Sequence, residues 1–144
     1  MMALENAELR QLALRALAQR AGSAAGAEAL GAAASRAYDD LTRVSAPLIG
    51  QVGVDALTGR AVHLAQREYP WLVPMREPDQ PEAPFAQVIL CLERQDPAVA
   101  AEAAGVLFAL LLGLLVTLIG ESLTAGLVQR AWPDAFSHAS TEET

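Results

Sequence analysis

Apolar residues recur along most of this chain at steps of three and four residues, which is the spacing of one face of an α-helix. The N-terminal stretch, residues 3–20, shows such a stripe clearly. Acidic residues lie near its start and Arg20 lies at its end, which is the charge order that a helix dipole favours. No stretch alternates apolar and polar residues over the length of a β-strand. The pattern therefore predicts an all-α protein.

Glycine and proline divide the rest of the pattern into further helices. Ser45 followed by Pro47 predicts the start of one helix, because serine caps helices and proline fits their first turn. That helix should bend near residues 50–53, where two glycines lie. Asp96 followed by Pro97 predicts another start, and no internal repeat is evident. The predicted helices cover residues 3–20, 27–45, 47–68, 84–94, 97–119 and 122–132.

The longest apolar run, residues 103–120, contains no charged residue and lies between Glu102 and Glu121. A helix that is apolar on every side must be surrounded by other helices or by lipid. Eighteen helical residues extend about 27 Å, close to the roughly 30 Å thickness of a bilayer's hydrocarbon core. By length and composition, residues 103–120 therefore qualify as a membrane span.

The flanks of this run favour a protein environment instead. No arginine lies nearer to it than Arg94 or Arg130, although membrane spans usually have basic anchors. The following segment is amphipathic and also needs a protein surface. We therefore predict a single-domain bundle of about five to six helices around a central apolar helix at about residues 97–119. This domain covers residues 1–133, with a proline-rich loop at 69–84, and a polar, flexible tail follows at 134–144.

Composition and charge limit the partners and the compartment. The net charge is −7, which opposes the binding of nucleic acid phosphates. The single cysteine, Cys91, rules out an intrachain disulfide and suits a reducing compartment. Charged residues near the N-terminus do not fit a signal peptide. We therefore expect a cytoplasmic protein that does not bind nucleic acid. The alternative is a membrane-anchored subunit that uses residues 103–120 as its span.

Residues with reactive side chains are few. Arg60, His63 and Arg67 share one face of a helix and form a weak candidate anion site, and a phosphotransfer module using His63 is the corresponding enzymatic alternative. A solvated helix face explains the same three residues more simply. Two histidines and one cysteine do not make a zinc site, and no nucleophile or phosphate-loop motif is present. We predict no catalytic activity, no metal and no cofactor.

Two sets of residues are candidates for contacts with other proteins. Trp71, Leu72 and Met75 in the proline-rich loop, together with Trp132, are typical of residues that anchor a partner, although the loop residues also suit a cap on the bundle. A second set has small side chains at every fourth position, which allows close helix packing within the chain, for example with residues 50–59, or between two copies. This small-residue ridge comprises Gly105, Ala109, Gly113 and Thr117.

The function that these features favour is a non-catalytic helical interaction protein, such as a regulator, an adaptor or an assembly subunit. We expect it to act on a protein partner, with a homo-oligomer as the alternative assembly.

Overall fold

The structure, a computed structural model, describes residues 6–21, 26–72, 84–133 and 135. Within these residues the chain forms α-helices and no strand, which confirms the all-α prediction. The helices are α1 (Asn6–Ala21), α2 (Ala27–Ala65), α3 (Pro84–Glu93), α4 (Pro97–Ile119) and α5 (Glu121–Ala131).

Helix α4 is the central apolar helix that the sequence predicts. Asp96 caps its start, since the carboxylate accepts a hydrogen bond of 3.2 Å from the backbone N–H of Ala98, and Pro97 occupies the first turn. Helices α1, α2 and α5 all pack against α4. Its most apolar part has a mean hydropathy of 2.4 and is 61% buried in the bundle, so by length and composition α4 fits either a membrane span or the core helix of a soluble protein.

The structure corrects one predicted boundary. Helix α2 does not start at Ser45 but runs through Ser45 and Pro47, and it breaks at Gly50, where φ is 82° and ψ is 156°. Proline removes only one backbone hydrogen bond, so the helix continues through Pro47. The positive φ at Gly50 is a backbone conformation that residues other than glycine rarely adopt. The predicted bend at residues 50–53 is confirmed. We call residues 27–49 the first arm of α2 and residues 51–65 its second arm.

The structure also contains an internal repeat, and the expectation that there is none is wrong. Gly120, between α4 and α5, has φ of 92° and ψ of 162°, close to the values at Gly50. Both glycines end the tripeptide Leu-Ile-Gly, and they lie 70 residues apart. The same separation relates further identical pairs: Ala33 and Ala103, Ala34 and Ala104, Leu41 and Leu111, Leu57 and Leu127, Arg60 and Arg130, and Ala61 and Ala131.

Solvent exposure follows the same repeat. Residues 44–52 and residues 114–122 show the same order of buried, half-buried and exposed positions, and so do residues 60–63 and 130–133. Each unit has a short helix, a long helix, a glycine elbow and a further helix. The first unit comprises α1 and the two arms of α2, and the second comprises α3, α4 and α5. Position for position, α4 corresponds to the first arm of α2, and α5 corresponds to its second arm.

The two units interlock through their short helices. An added Cβ atom at Gly105 of α4 would lie 2.9 Å from the Cδ2 atom of Leu14, so α1 packs closely on the long helix of the second unit. An added Cβ atom at Gly31 of α2 would lie 2.9 Å from the Cγ atom of Glu93, so α3 packs closely on the long helix of the first unit. Each unit therefore completes the core of the other.

Aromatic rings join the two units at the centre of the bundle. Phe85 stacks on Tyr38 with a centroid distance of 4.1 Å and also contacts Phe108 at 5.5 Å. Tyr38 and Phe108 occupy equivalent positions of the repeat. Burial raises the pKa of Tyr38 above its ordinary value of 10.0. The Tyr38 hydroxyl lies 2.8 Å from Oγ1 of Thr58, and we assign Tyr38 as the donor because the threonine proton is used elsewhere. The Thr58 hydroxyl in turn donates to the carbonyl of Val54.

We expect alanine at either glycine elbow to destabilise the protein. Gly50→Ala and Gly120→Ala should each lower the free energy of unfolding by about 1–3 kcal/mol, because both side chains would be held at unfavourable positive φ. Gly59→Ala is the control. It lies inside a helix with no described atom within 4 Å of an added Cβ, and it should stabilise by up to about 1 kcal/mol. Urea unfolding measures the free energy of unfolding of all three variants. If Gly50→Ala and Gly120→Ala were as stable as wild type, the assignment of Gly50 and Gly120 as positive-φ elbows would be contradicted.

The repeat also makes the Tyr38–Thr58 pair testable, because the equivalent positions hold Phe108 and Val128. Tyr38→Phe and Thr58→Val should each cost about 0.5–1.5 kcal/mol. Tyr38→Phe leaves Thr58 only its bond to the carbonyl of Val54, and Thr58→Val leaves the buried Tyr38 hydroxyl without its acceptor. The double variant copies the apolar pair of the second unit, so its cost should be clearly smaller than the two single costs added together. A double-mutant cycle in urea tests this expectation, and simple additivity would refute it.

Candidate docking groove

The C-terminal end of α5 is fixed to the first arm of α2 by two buried or partly buried side chains. Arg20 donates to the Asp40 carboxylate at 2.7 and 3.1 Å and to the carbonyl of Ala131 at 3.1 Å. The indole N–H of Trp132 donates to the carbonyl of Ala37 at 3.0 Å. Because α1, α2 and α5 meet at this point, we expect these contacts to fix the distance between the first arm of α2 and α5 in the adjoining helix turns.

A groove of about 430 Å³ lies between the first arm of α2 and α5. Val44 and Leu127 contribute buried or half-buried apolar surface, whereas Leu48 and Leu123 are 51% and 55% exposed. Gly126 lines the same groove, and no described atom lies within 4 Å of an added Cβ there. The groove is therefore largely apolar and open to solvent. We call it the α2–α5 groove.

Two arginines lie at the end of the α2–α5 groove that is nearest to Trp132. The Arg43 side chain is 69% exposed and reaches the Asp40 carboxylate at only 3.4 Å. Arg130 is exposed, and no carboxylate of the described residues lies within ion-pair distance of it. The groove thus combines an apolar trough with two guanidinium groups, although the whole chain carries a net charge of −7.

The predicted anchor residues lie elsewhere. Trp132 is completely buried and Leu72 is nearly so, so neither side chain is exposed to a partner, and the burial of Leu72 fits the alternative of a cap on the bundle. Each has a structural role, because Trp132 holds α5 on α2 and the carbonyl of Leu72 accepts a hydrogen bond of 2.6 Å from the Gln66 side chain. Trp71 is half-buried against Tyr69 with a centroid distance of 5.7 Å, and Met75 lies outside the described residues, as do residues 136–144 of the predicted tail.

The small-residue ridge divides into two parts. Gly105 and Ala109 are buried, and α1 lies against Gly105 through Leu14. Contact at this end is therefore within the chain, and it is made with α1 rather than with residues 50–59. Gly113 is half-buried and Thr117 is exposed, with its hydroxyl bonded to the carbonyl of Gly113. The C-terminal part of the ridge thus remains partly open to solvent.

The weak candidate anion site lies on the second arm of α2 and just beyond it. Arg60, His63 and Arg67 are all exposed. The part of the chain that the structure describes contains no group of three or more histidine, cysteine or acidic residues able to hold a metal ion. The three residues therefore have the surroundings of a solvated helix face.

Sequence reasoning missed the residues that form the α2–α5 groove. Leu48, Arg43 and Arg130 follow the ordinary amphipathic pattern of their helices, and only the tertiary structure places them together. The repeated Leu-Ile-Gly tripeptide at residues 48–50 and 118–120 is the one sequence signal that marks this end of the bundle.

Comparison with known protein families, with characterised proteins and with solved structures finds no match to this chain.

Arg20→Ala tests how the groove is held together. The substitution removes the charged hydrogen bonds to Asp40 and Ala131, which are largely shielded from water, so we expect a loss of about 1.5–3 kcal/mol in the free energy of unfolding. Hydrogen exchange should also accelerate in α5. The control, Arg36→Ala, removes a single exposed contact to the carbonyl of Arg20 and should cost under about 0.5 kcal/mol. An equal loss of stability in Arg20→Ala and Arg36→Ala would contradict the role of Arg20 in holding α5 to α2.

Proposed function

We propose that this protein acts through protein–protein contacts, without catalysis, and that the α2–α5 groove binds an amphipathic helix of a partner. The observation that carries the proposal is the pair of exposed leucines, Leu48 and Leu123, in an apolar groove that ends at Arg43 and Arg130. An apolar helix face lying in a hydrophobic groove is a common mode of peptide recognition. The guanidinium groups favour a helix that has acidic residues beside one end of its apolar stripe.

The dimensions of the groove suit about two turns of a helix. From Ser122 to Arg130, α5 extends about 12 Å, at roughly 1.5 Å per residue. Burial of the exposed halves of Leu48 and Leu123 would contribute roughly 1.5–3 kcal/mol in total, since a whole leucine side chain contributes about 1.5–3 kcal/mol. Association costs at least several kilocalories per mole, so the two leucines alone do not reach the roughly −8 kcal/mol of a micromolar complex, and we expect weak binding that depends on further contacts along the groove.

The internal repeat supports a soluble, cytoplasmic protein. Helix α4 occupies the position that corresponds to the first arm of α2, and that arm carries Arg36, Asp39 and Asp40. Placing these three charged side chains in the hydrocarbon core of a bilayer would carry a high free-energy cost. The residues of α4 that correspond to Arg36 and Asp39 are Val106 and Ala109, and both are buried in the bundle, which favours protein over lipid as the environment of α4.

A membrane-anchored subunit is the second candidate function, and one observation favours it. The run at residues 103–120 is apolar enough to span a bilayer, and the C-terminal part of α4 includes the exposed Leu118. This candidate requires α4 to leave α1 and α2. Arg in place of Leu111 would then shift the chain from the membrane to the soluble fraction.

A peptide-binding experiment tests the proposed groove. The probe is a synthetic helical peptide with leucine at every third or fourth position and glutamate beside them at one end, measured by fluorescence anisotropy with the full chain. Leu48→Gln and Leu123→Gln should each raise the Kd at least tenfold, because each removes an apolar contact. Arg130→Glu should do the same and should reduce the salt dependence of binding.

Two matched controls make this test specific. Leu90 on α3 is 53% exposed but lies outside the groove, so Leu90→Gln should leave the Kd unchanged. A probe with lysine in place of glutamate should bind more weakly to wild type. An equal loss for Leu90→Gln and Leu48→Gln, or no binding of the glutamate probe, would contradict the proposal.

A further inference from the structure

We infer that the protein carries a second docking groove, related to the α2–α5 groove by the internal repeat, so that one chain binds two partner helices of the same chemistry. The inference rests on the proposed function. It adds that each chain has two binding sites and that the internal repeat relates one site to the other. We call the second site the α4–α2 groove. The 70-residue offset places its residues at Gly113, Leu114, Thr117 and Leu118 on α4 and at Val52, Gly53, Ala56, Leu57 and Arg60 on the second arm of α2.

The packing of the second arm supports this equivalence. Leu57 of the second arm and Leu111 and Leu115 of α4 line the same small internal cavity, so the second arm lies along α4. Helix α5 lies along the first arm of α2 in the same manner. The elbows at Gly50 and Gly120, with nearly equal backbone angles, each turn the next helix back along the long helix of the other unit.

The exposed apolar side chains follow the repeat. Leu118 and Val52 are 58% and 84% exposed, and they correspond to Leu48 and Ser122 of the first groove. Six large apolar residues of the described chain are exposed, and four of them belong to these two surfaces. The exposed Val52 of the second surface takes the place of Leu123, which itself corresponds to Gly53, so each of the two surfaces holds two exposed large apolar side chains.

The repeat also preserves part of the charge. Arg60 stands where Arg130 stands in the first groove, and both are exposed. Gly113 replaces Arg43, so the second groove has one guanidinium group fewer. The same type of acidic amphipathic helix therefore fits both sites, but it should bind the second site more weakly and with a smaller dependence on salt. Thr117 is exposed at this site, whereas an added Cβ atom at Gly113 would lie 4.0 Å from Cδ1 of Leu9, so α1 borders the second groove on that side.

Stoichiometry tests the inference. Calorimetry and amide chemical-shift mapping of the full chain with the glutamate probe should give two bound peptides per chain. Gly126→Leu fills the first groove, and Ala56→Leu fills the second at the equivalent position; both positions are exposed on helices. Each variant should bind one peptide and the double variant none, with circular dichroism showing unchanged helix content.

The possible outcomes separate the two proposals. One peptide per wild-type chain, lost with Gly126→Leu and retained with Ala56→Leu, would overturn the second groove and leave the first intact. No binding to wild type would overturn both. Two further results would replace the partner helix with another occupant: a wild-type dimer in light scattering that Ala56→Leu dissociates, or binding to phosphatidylcholine vesicles that Val52→Gln and Leu118→Gln abolish.

Discussion

Helix α4 has to be covered along most of its length, and the architecture of the bundle follows from this constraint. The helix lacks a charged residue from Ala103 to Gly120, so no face of it suits water. Its own unit cannot supply the cover alone, because α5 provides a single amphipathic face. Helix α1 and both arms of α2 supply the rest, and Leu14 of α1 closes directly over Gly105.

Because of the internal repeat, each unit covers the long helix of the other unit. The short helix of each unit lies on the long helix of the other, and Phe85 joins Tyr38 and Phe108 at the centre. Because the glycine elbows return the following helices along the opposite unit, two similar surfaces arise at the elbow end. There, exposed leucines remain after the core has been filled.

The amino-acid sequence predicts the regular elements well where local chemistry decides them. The Asp96–Pro97 start of α4, the break at Gly50 and the central apolar helix all depend on capping, backbone freedom or hydropathy, and all are confirmed. The Ser45–Pro47 start is wrong because α2 tolerates the loss of one backbone hydrogen bond, while the glycine three residues later ends the helix.

Features that depend on tertiary structure were less accessible. Trp132 resembles an exposed anchor in the sequence, but its indole finds the carbonyl of Ala37 in a distant helix and is buried. The repeat is hidden because the first arm of α2 has Asp39 and Asp40 where α4 has Ala109 and Leu110. Asp39 is exposed and Asp40 pairs with Arg20, whereas Ala109 is buried and Leu110 is half-buried, so the two long helices have different surroundings at these positions and few identical residues remain. The α2–α5 groove likewise joins residues that are far apart in the chain.

The claim that protein, not lipid, covers α4 is tested most directly by fractionation of the full chain without detergent, followed by light scattering. The account predicts that the protein stays in the supernatant as a defined, folded particle. Recovery in the membrane pellet, with release by detergent alone, would show that α4 lies among acyl chains and would contradict the account.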